Sequence, residues 1–137
     1  QARAVASGVA DLALINTYYL GLLANSSDKA DRKVTKKLNI FFPNQDENGT
    51  HINISGGGVT ASSKNKKEAT RFLEFLTEKE NQKIFSEANY EYPLDYNNSS
   101  SDIHLKWGKF KADDIDLSIL GESNAEAVKI FDSAGWE

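Results

Sequence analysis

The stretch NTYYLG, residues 16–21, sets two phenols side by side at Tyr18 and Tyr19. A tyrosine hydroxyl has a pKa of about 10 and is neutral under ordinary conditions. A bound cation of high charge changes this, because metals favour the deprotonated form of their ligands. Two phenolates would offer hard anionic oxygen, which suits a hard cation such as Fe3+ far better than Cu+ or Zn2+. Against that stands simple packing, since neighbours on a helix point about 100° apart. Taken alone, the pair reads as one ring in a core and one on the surface. Two phenolates also cannot complete an octahedral shell, so further ligands must come from elsewhere.

The elements around the pair weaken the packing reading. VADLALIN (9–16) has the short apolar character of a buried strand, bounded by Gly8 and Asn16. TYYLGLLAN follows as a short helix with Asn16 or Thr17 as its cap. The phenols therefore fall at the first helical positions, where long side chains can converge above the helix end. The positive end of the helix dipole favours their deprotonation. They also follow the carboxyl end of a strand, where open α/β sheets gather ligands.

Farther along, SDKADRKVTKKL (27–38) reads as a helix with acids early and lysines late. NIFFP (39–43) reads as a strand ended by Pro43, NQDENG (44–49) as a polar turn, and THINIS (50–55) as an alternating strand. A helix is predicted from the capping pair Asn65/Glu68, with Ala69, Phe72, Leu73 and Leu76 on one face. A second helix restarts at Thr77/Glu80. YEYPL (90–94) is extended before its proline, and DYNNSSSD (95–102) is a polar loop. The last helix runs from the pair Ser123/Glu126 to a stop at Gly135. Strand and helix alternate, so the fold class is α/β.

Composition narrows the function. The chain has 137 residues, 39% of them apolar and 26% charged, as in an ordinary globular protein. A net charge of -4, with no basic run interleaved with aromatics, argues against nucleic-acid binding. No apolar run approaches the ~20 residues of a membrane span. The absence of cysteine excludes disulfides, thiolate metal sites and cysteine nucleophiles. QARAVASG reads as the last turns of a helix stopped by Gly8, and the chain contains no Met. It is accordingly read as the C-terminal piece of a longer protein.

Other candidate sites fare worse. His51 and His104 are far apart and form no His-x-x-x-His pair, and His51 reads as an exposed strand residue. SGGGVTASSK lacks the spacing of a phosphate loop, so Gly56, Gly57 and Gly58 read as a tight crossover. DENGT has no calcium-ligand ladder. No G-x-S-x-G elbow supports a serine hydrolase.

The words GVADLALINTYYLG, FFPNQDENGTHINISGGGVT, KNKKEATRFLEFLTEKENQKIF, NYEYPL and NAEAVKIFDSAGW occur in an order and spacing that resembles one family. It is the ferric-iron-binding periplasmic proteins of ABC transporters, most closely the cyanobacterial-type and other bacterial members. The resemblance implies the type 2 periplasmic-binding-protein fold, two α/β lobes joined by crossing hinge strands, with ferric iron in the cleft. Tyr18 and Tyr19 would supply two phenolates from the C-terminal lobe, and Asn16 would help hold a synergistic anion where one is used. Residues 1–51 would belong to the C-terminal lobe, 52–90 to the N-terminal lobe, and 91–137 would return to the C-terminal lobe. A monomer that delivers Fe3+ to a membrane permease from the periplasm is implied, not an enzyme. The runner-up is a type 2 binding protein for another solute, such as a polyamine, an oxyanion or thiamine. An enzyme reusing this lobe is the reading from a different class.

Overall fold

Left-handed glycines close two of the helices where the sequence asks for them. The computed structural model describes residues 1–99 and 101–136. Ser100, in the stretch read as a polar loop, and Glu137, at the end of the last segment, lie outside the described residues. Helix α1 (Ala2–Ser7) ends at Gly8 with φ 80°, and the Val9 N–H donates back to the Ala4 carbonyl at 2.9 Å. Helix α2 (Thr17–Ala24) starts after Asn16 and carries the two tyrosines. Helix α3 (Lys29–Thr35) is capped by Asp28, whose carboxylate accepts from the Ala30 N–H at 2.8 Å. Arg3 of α1 pairs with Asp31 of α3, and the Ser26 hydroxyl donates to the same carboxylate at 3.0 Å. Arg3 first, and then Ser26, hold the Asp31 carboxyl below its usual range. The three helices form one cluster, with α2 and α1 both against α3.

Helices α4 (Lys66–Thr77) and α5 (Lys79–Ala88) pack as a pair broken at Glu78, whose ψ of 143° interrupts the helix. The break falls where the sequence predicted it, although the capping differs. Thr77 does not cap α5, because its hydroxyl donates back to the Glu74 carbonyl at 2.7 Å. The free carbonyls at the end of α4 are taken instead by Asn81, bonded to Phe75 at 2.7 Å, and Gln82, bonded to Leu76 at 2.8 Å. Asn65 and Ser123 likewise make no side-chain cap bond. Ser123 is itself αR, because α7 (Ser118–Glu122) runs almost directly into α8 (Asn124–Ala134). Helix α8 stops at left-handed Gly135, with the Trp136 N–H on the Phe131 carbonyl at 3.0 Å.

The segments 9–16, 39–43 and 50–55, read as strands, pair into no sheet among the described residues. A single parallel bridge joins Thr50 to Ala112. A strand is completed only by a neighbour that takes its N–H and C=O groups, and among the described residues only Thr50 finds one. The apolar residues of these segments stay uncovered: Val9, Leu12, Leu14 and Phe41 are each more than 80% exposed. Their periodicity describes faces that need a layer these residues do not provide.

The main packed centre is aromatic and lies around Phe110. Phe42 stacks on Phe110 at 4.4 Å, Tyr96 lies at 4.9 Å, and Tyr92 meets it edge-on at 5.2 Å. Tyr92 also stacks on His104 of α6 (Asp102–Trp107) at 4.0 Å. Tyr96 shows that the polar word DYNNSSSD contributes to this centre through a 3-10 turn at Tyr96–Asn98. His104 is only 3% exposed; Nε2 meets the Tyr90 carbonyl at 3.1 Å and Nδ1 the Ser99 hydroxyl at 2.7 Å. Beside this centre the Thr50 N–H donates to Lys111 at 2.8 Å and the Asp113 N–H to Thr50 at 2.9 Å. Gln45 accepts from the Lys111 N–H at 2.7 Å.

Two predictions follow from this packing. At Gly49, φ is 104° and an added Cβ would lie 2.6 Å from the Ala112 carbonyl carbon. The obstacle is backbone, so Gly49→Ala should cost roughly 1–3 kcal/mol in denaturant melts. Burial holds His104 below its usual value, opposed in part by the Tyr90 carbonyl. The unfolded chain then takes up a proton that the folded chain refuses. Stability is full above about pH 6.5 and declines as pH falls from there to the lowered value of His104. Melts across that window should show the decline, and His104→Gln, less stable throughout, should lack it.

Candidate metal centre

Helix geometry alone would send Tyr18 and Tyr19 in different directions, yet the two rings meet. Their centroids lie 4.3 Å apart with planes crossing at 41°. The pair occupies the second and third positions of α2, where the helix has only begun. Tyr18 is half-buried and Tyr19 is 48% exposed. Asn16 precedes them in extended conformation, with ψ 137°, and its side chain makes no bond to the helix it caps. Its effect falls on the Tyr18 phenol, whose ionisation it favours.

The Tyr18 hydroxyl is held above its ordinary value. The approach of the Tyr19 hydroxyl is the largest cause, followed by desolvation and by the Tyr19 charge. Asn16 acts in the opposite sense, and the Glu91 carboxylate adds a further upward push. Two phenols this close resist ionising while nothing positive lies between them. A cation there would reverse the balance and draw both oxygens into its shell.

What holds α2 in place is a residue with no obvious signal in the sequence. Tyr90 has φ 62°, a left-handed conformation that costs a non-glycine residue on the order of 1 kcal/mol. Its ring lies over Gly21, where an added Cβ would fall 2.3 Å from the Tyr90 Cβ. Only glycine fits at 21. The carbonyl of Tyr90 is taken by His104, which fixes the unusual backbone. Glu91 follows directly, and its Oε1 accepts from the Ser55 hydroxyl at 3.1 Å.

Other candidates separate from this centre. His51 is exposed. Among the described residues no three His, Cys, Asp or Glu side chains gather where they could hold a metal ion. Of the three glycines, Gly56 and Gly58 border open space, and Gly57 alone lies under a side chain, 2.7 Å from Leu73 Cδ2 for an added Cβ. The sequence reading named Asn16, Tyr18 and Tyr19 and left out Gly21, Tyr90 and Glu91, which the structure sets around α2 and the 90–94 segment. A glycine inside a short helix, which costs about 1 kcal/mol against alanine, was the available signal for the first. Nothing local marks the other two.

A model of bacterial extracellular solute-binding proteins matches residues 4–102. The chain belongs to this family. Among its curated relatives it is 42% identical, over its whole length, to iron uptake protein A1 of Synechocystis, and spans 38% of that protein. It is 33% identical over 98% of its length to the major ferric iron-binding protein of Neisseria meningitidis, spanning 39% of it. Among solved structures, a Trichodesmium protein in complex with iron and citrate superposes with a TM-score of 0.94 at 46% identity. That superposition covers all of this chain and 43% of the other. The fold is thus that of the type 2 periplasmic ferric-binding proteins, an α/β class, although the described residues of this chain are mainly helical. No helix among the described residues is long and apolar enough to cross a membrane.

The phenol pair yields its own test. Removing the Tyr19 hydroxyl removes the largest cause of the raised Tyr18 value. In Tyr19→Phe, an alkaline titration followed by phenolate ultraviolet absorbance should show Tyr18 ionising closer to 10 than in the unchanged protein.

Proposed function

We propose that this chain supplies part of a ferric-iron site in a binding protein that serves an ABC importer, with Tyr18 and Tyr19 as phenolate ligands. The convergence of the two rings at 4.3 Å carries the reading. Two oxygens on neighbouring residues can meet one ion only if the side chains turn toward each other, and packing alone needs no such meeting. Hard phenolate oxygen matches Fe3+, and the first turn of α2 adds its positive dipole to the ionisation of both groups. The similarity to a Trichodesmium protein solved with iron and citrate supports the same choice of cargo.

Asn16, beside Tyr18 and not engaged in capping, is suited to contact an anion that shares the ion's shell. Further ligands come from outside this chain, from an opposing lobe. Residues 1–51 and 91–137 belong to one lobe and 52–90 to the other, with 50–59 and 90–94 as the crossing segments. These segments absorb the dihedral change when the lobes close. The protein acts as a monomer in the periplasm, hands its ion to a permease and catalyses no reaction.

The test uses the full-length protein. Ferric citrate should produce a visible phenolate-to-iron charge-transfer band. Tyr18→Phe and Tyr19→Phe should each remove or strongly weaken that band and lower ferric affinity by more than about 100-fold, beyond the usual effect of residues outside the ligand shell. Wild-type colour and affinity in both variants would show the assignment to be wrong. A colourless unchanged protein that takes up a polyamine, an oxyanion or thiamine would replace iron with another solute.

A further inference from the structure

The ring of Tyr90 is pressed against the helix that bears the phenols. Its Cβ, Cγ and Cδ2 crowd the space that the missing side chain of Gly21 leaves free, and Gly21 is the buried residue of α2. Gly21 follows Tyr18 by three positions, so the ring seats on the face of α2 that Tyr18 shares. A helix of eight residues is marginal by itself. It takes its position from what packs on it, here α3 and the Tyr90 ring. The seat is in turn held from behind. Tyr90 adopts φ 62°, a conformation that persists in a non-glycine residue only where its surroundings impose it. The His104 Nε2–H donates to the Tyr90 carbonyl at 3.1 Å. His104 is itself buried, bonded to the Ser99 hydroxyl at 2.7 Å and stacked on Tyr92 at 4.0 Å. A strained backbone fixed by buried partners, with its ring on the helix of the two phenols, is built as a support for that helix.

We propose that Tyr90 is a positioning residue of the ferric site, whose ring, seated on Gly21, fixes the height and roll of α2 and so the approach of the Tyr18 and Tyr19 oxygens to one ion. The inference rests on the ferric reading. Ligands must be held within about 0.5 Å of their productive geometry. A phenol oxygen stands at the far end of a long side chain, so a small roll of the helix moves it farther than it moves the backbone. Both phenols ride on the same short helix, and one misplaced support therefore displaces two ligands together. The atoms that make the seat are Cβ, Cγ and Cδ2, which phenylalanine also has. The role belongs to the ring and not to the Tyr90 hydroxyl.

The experiment titrates the full-length protein with Fe3+ in competition with citrate, well below the melting temperature of each variant, and records the charge-transfer band at saturating iron. Tyr90→Gly removes the ring but keeps the carbonyl that His104 holds, and glycine adopts the left-handed backbone without strain. It should lower ferric affinity about tenfold or more, as loss of a group that orients metal ligands does. It should also shift the maximum of the band, which follows the geometry of the iron–oxygen bonds and which a merely structural residue would leave in place. Tyr90→Phe retains the seat and should recover most of both effects. Gly21→Ala approaches from the other partner, since its methyl would meet Tyr90, and it keeps the test open if Tyr90→Gly fails to fold. It should shift the band and lower affinity in the same way, yet add little in the Tyr90→Gly background, where the obstacle is gone. Wild-type affinity and band position in Tyr90→Gly or in Gly21→Ala would overturn the proposal. So would equal losses in Tyr90→Phe and Tyr90→Gly, or fully additive losses in the double variant. If the unchanged protein binds no ferric ion, the ferric reading fails, and the role of Tyr90 with it.

Discussion

The contact between the Tyr90 ring and Gly21 is the constraint on which the rest of the centre depends. It leaves no room for a side chain at 21 and holds Tyr90 in a left-handed backbone. That backbone turns the Tyr90 carbonyl to His104, which stacks on Tyr92, which in turn meets Phe110. One contact therefore joins the helix bearing the phenols to the aromatic centre of the chain. Each aromatic pair in that sequence contributes about 0.5–1.5 kcal/mol beyond its buried area, enough in sum to offset the strain at Tyr90.

The buried polar groups of the aromatic centre are treated unequally. His104 is nearly inaccessible but has partners on both ring nitrogens, which is how a buried imidazole is tolerated. The Tyr92 hydroxyl has none among the described residues, and burial pushes it up to about 12. Tyr92 is thus a packing residue whose phenol stays protonated. The contrast with Tyr18 is instructive. Tyr18 is raised mainly by its neighbour Tyr19, a cause that a bound cation can reverse, whereas Tyr92 is raised by burial.

Charge and capping explain the quieter parts of the molecule. Asp28 and Asp31 place carboxylates at the start of α3, with Arg32 and Lys33 in its last turn, as the dipole favours. Arg3 then ties α1 to that helix through Asp31. The α4–α5 break shows the same economy, since Asn81 and Gln82 close one helix while belonging to the next. Gln82 also accepts from the Leu94 N–H at 3.0 Å, so the pair of helices is linked to the segment that carries Tyr90 and Glu91.

Local signals were legible wherever structure is local. The glycine stops at Gly8 and Gly135, the helix after Asn16, the break near Glu78 and the adjacency of Tyr18 and Tyr19 all follow from neighbours within a few residues. The apolar words at 9–16, 39–43 and 50–55 were equally clear, but a strand exists only when a distant segment pairs with it, and among the described residues only the single bridge at Thr50 does so. The polar word at 95–102 hid Tyr96, because nothing nearby says that Phe110 lies against it. The sequence by itself determined which residue types stand at the candidate site and that a helix begins beneath them. Only the tertiary structure decided that the two rings converge, that Tyr90 seats on Gly21 and that Glu91 is tied to Ser55. Those contacts join residues some seventy positions apart (Gly21 and Tyr90), and no local pattern encodes which distant surfaces will meet.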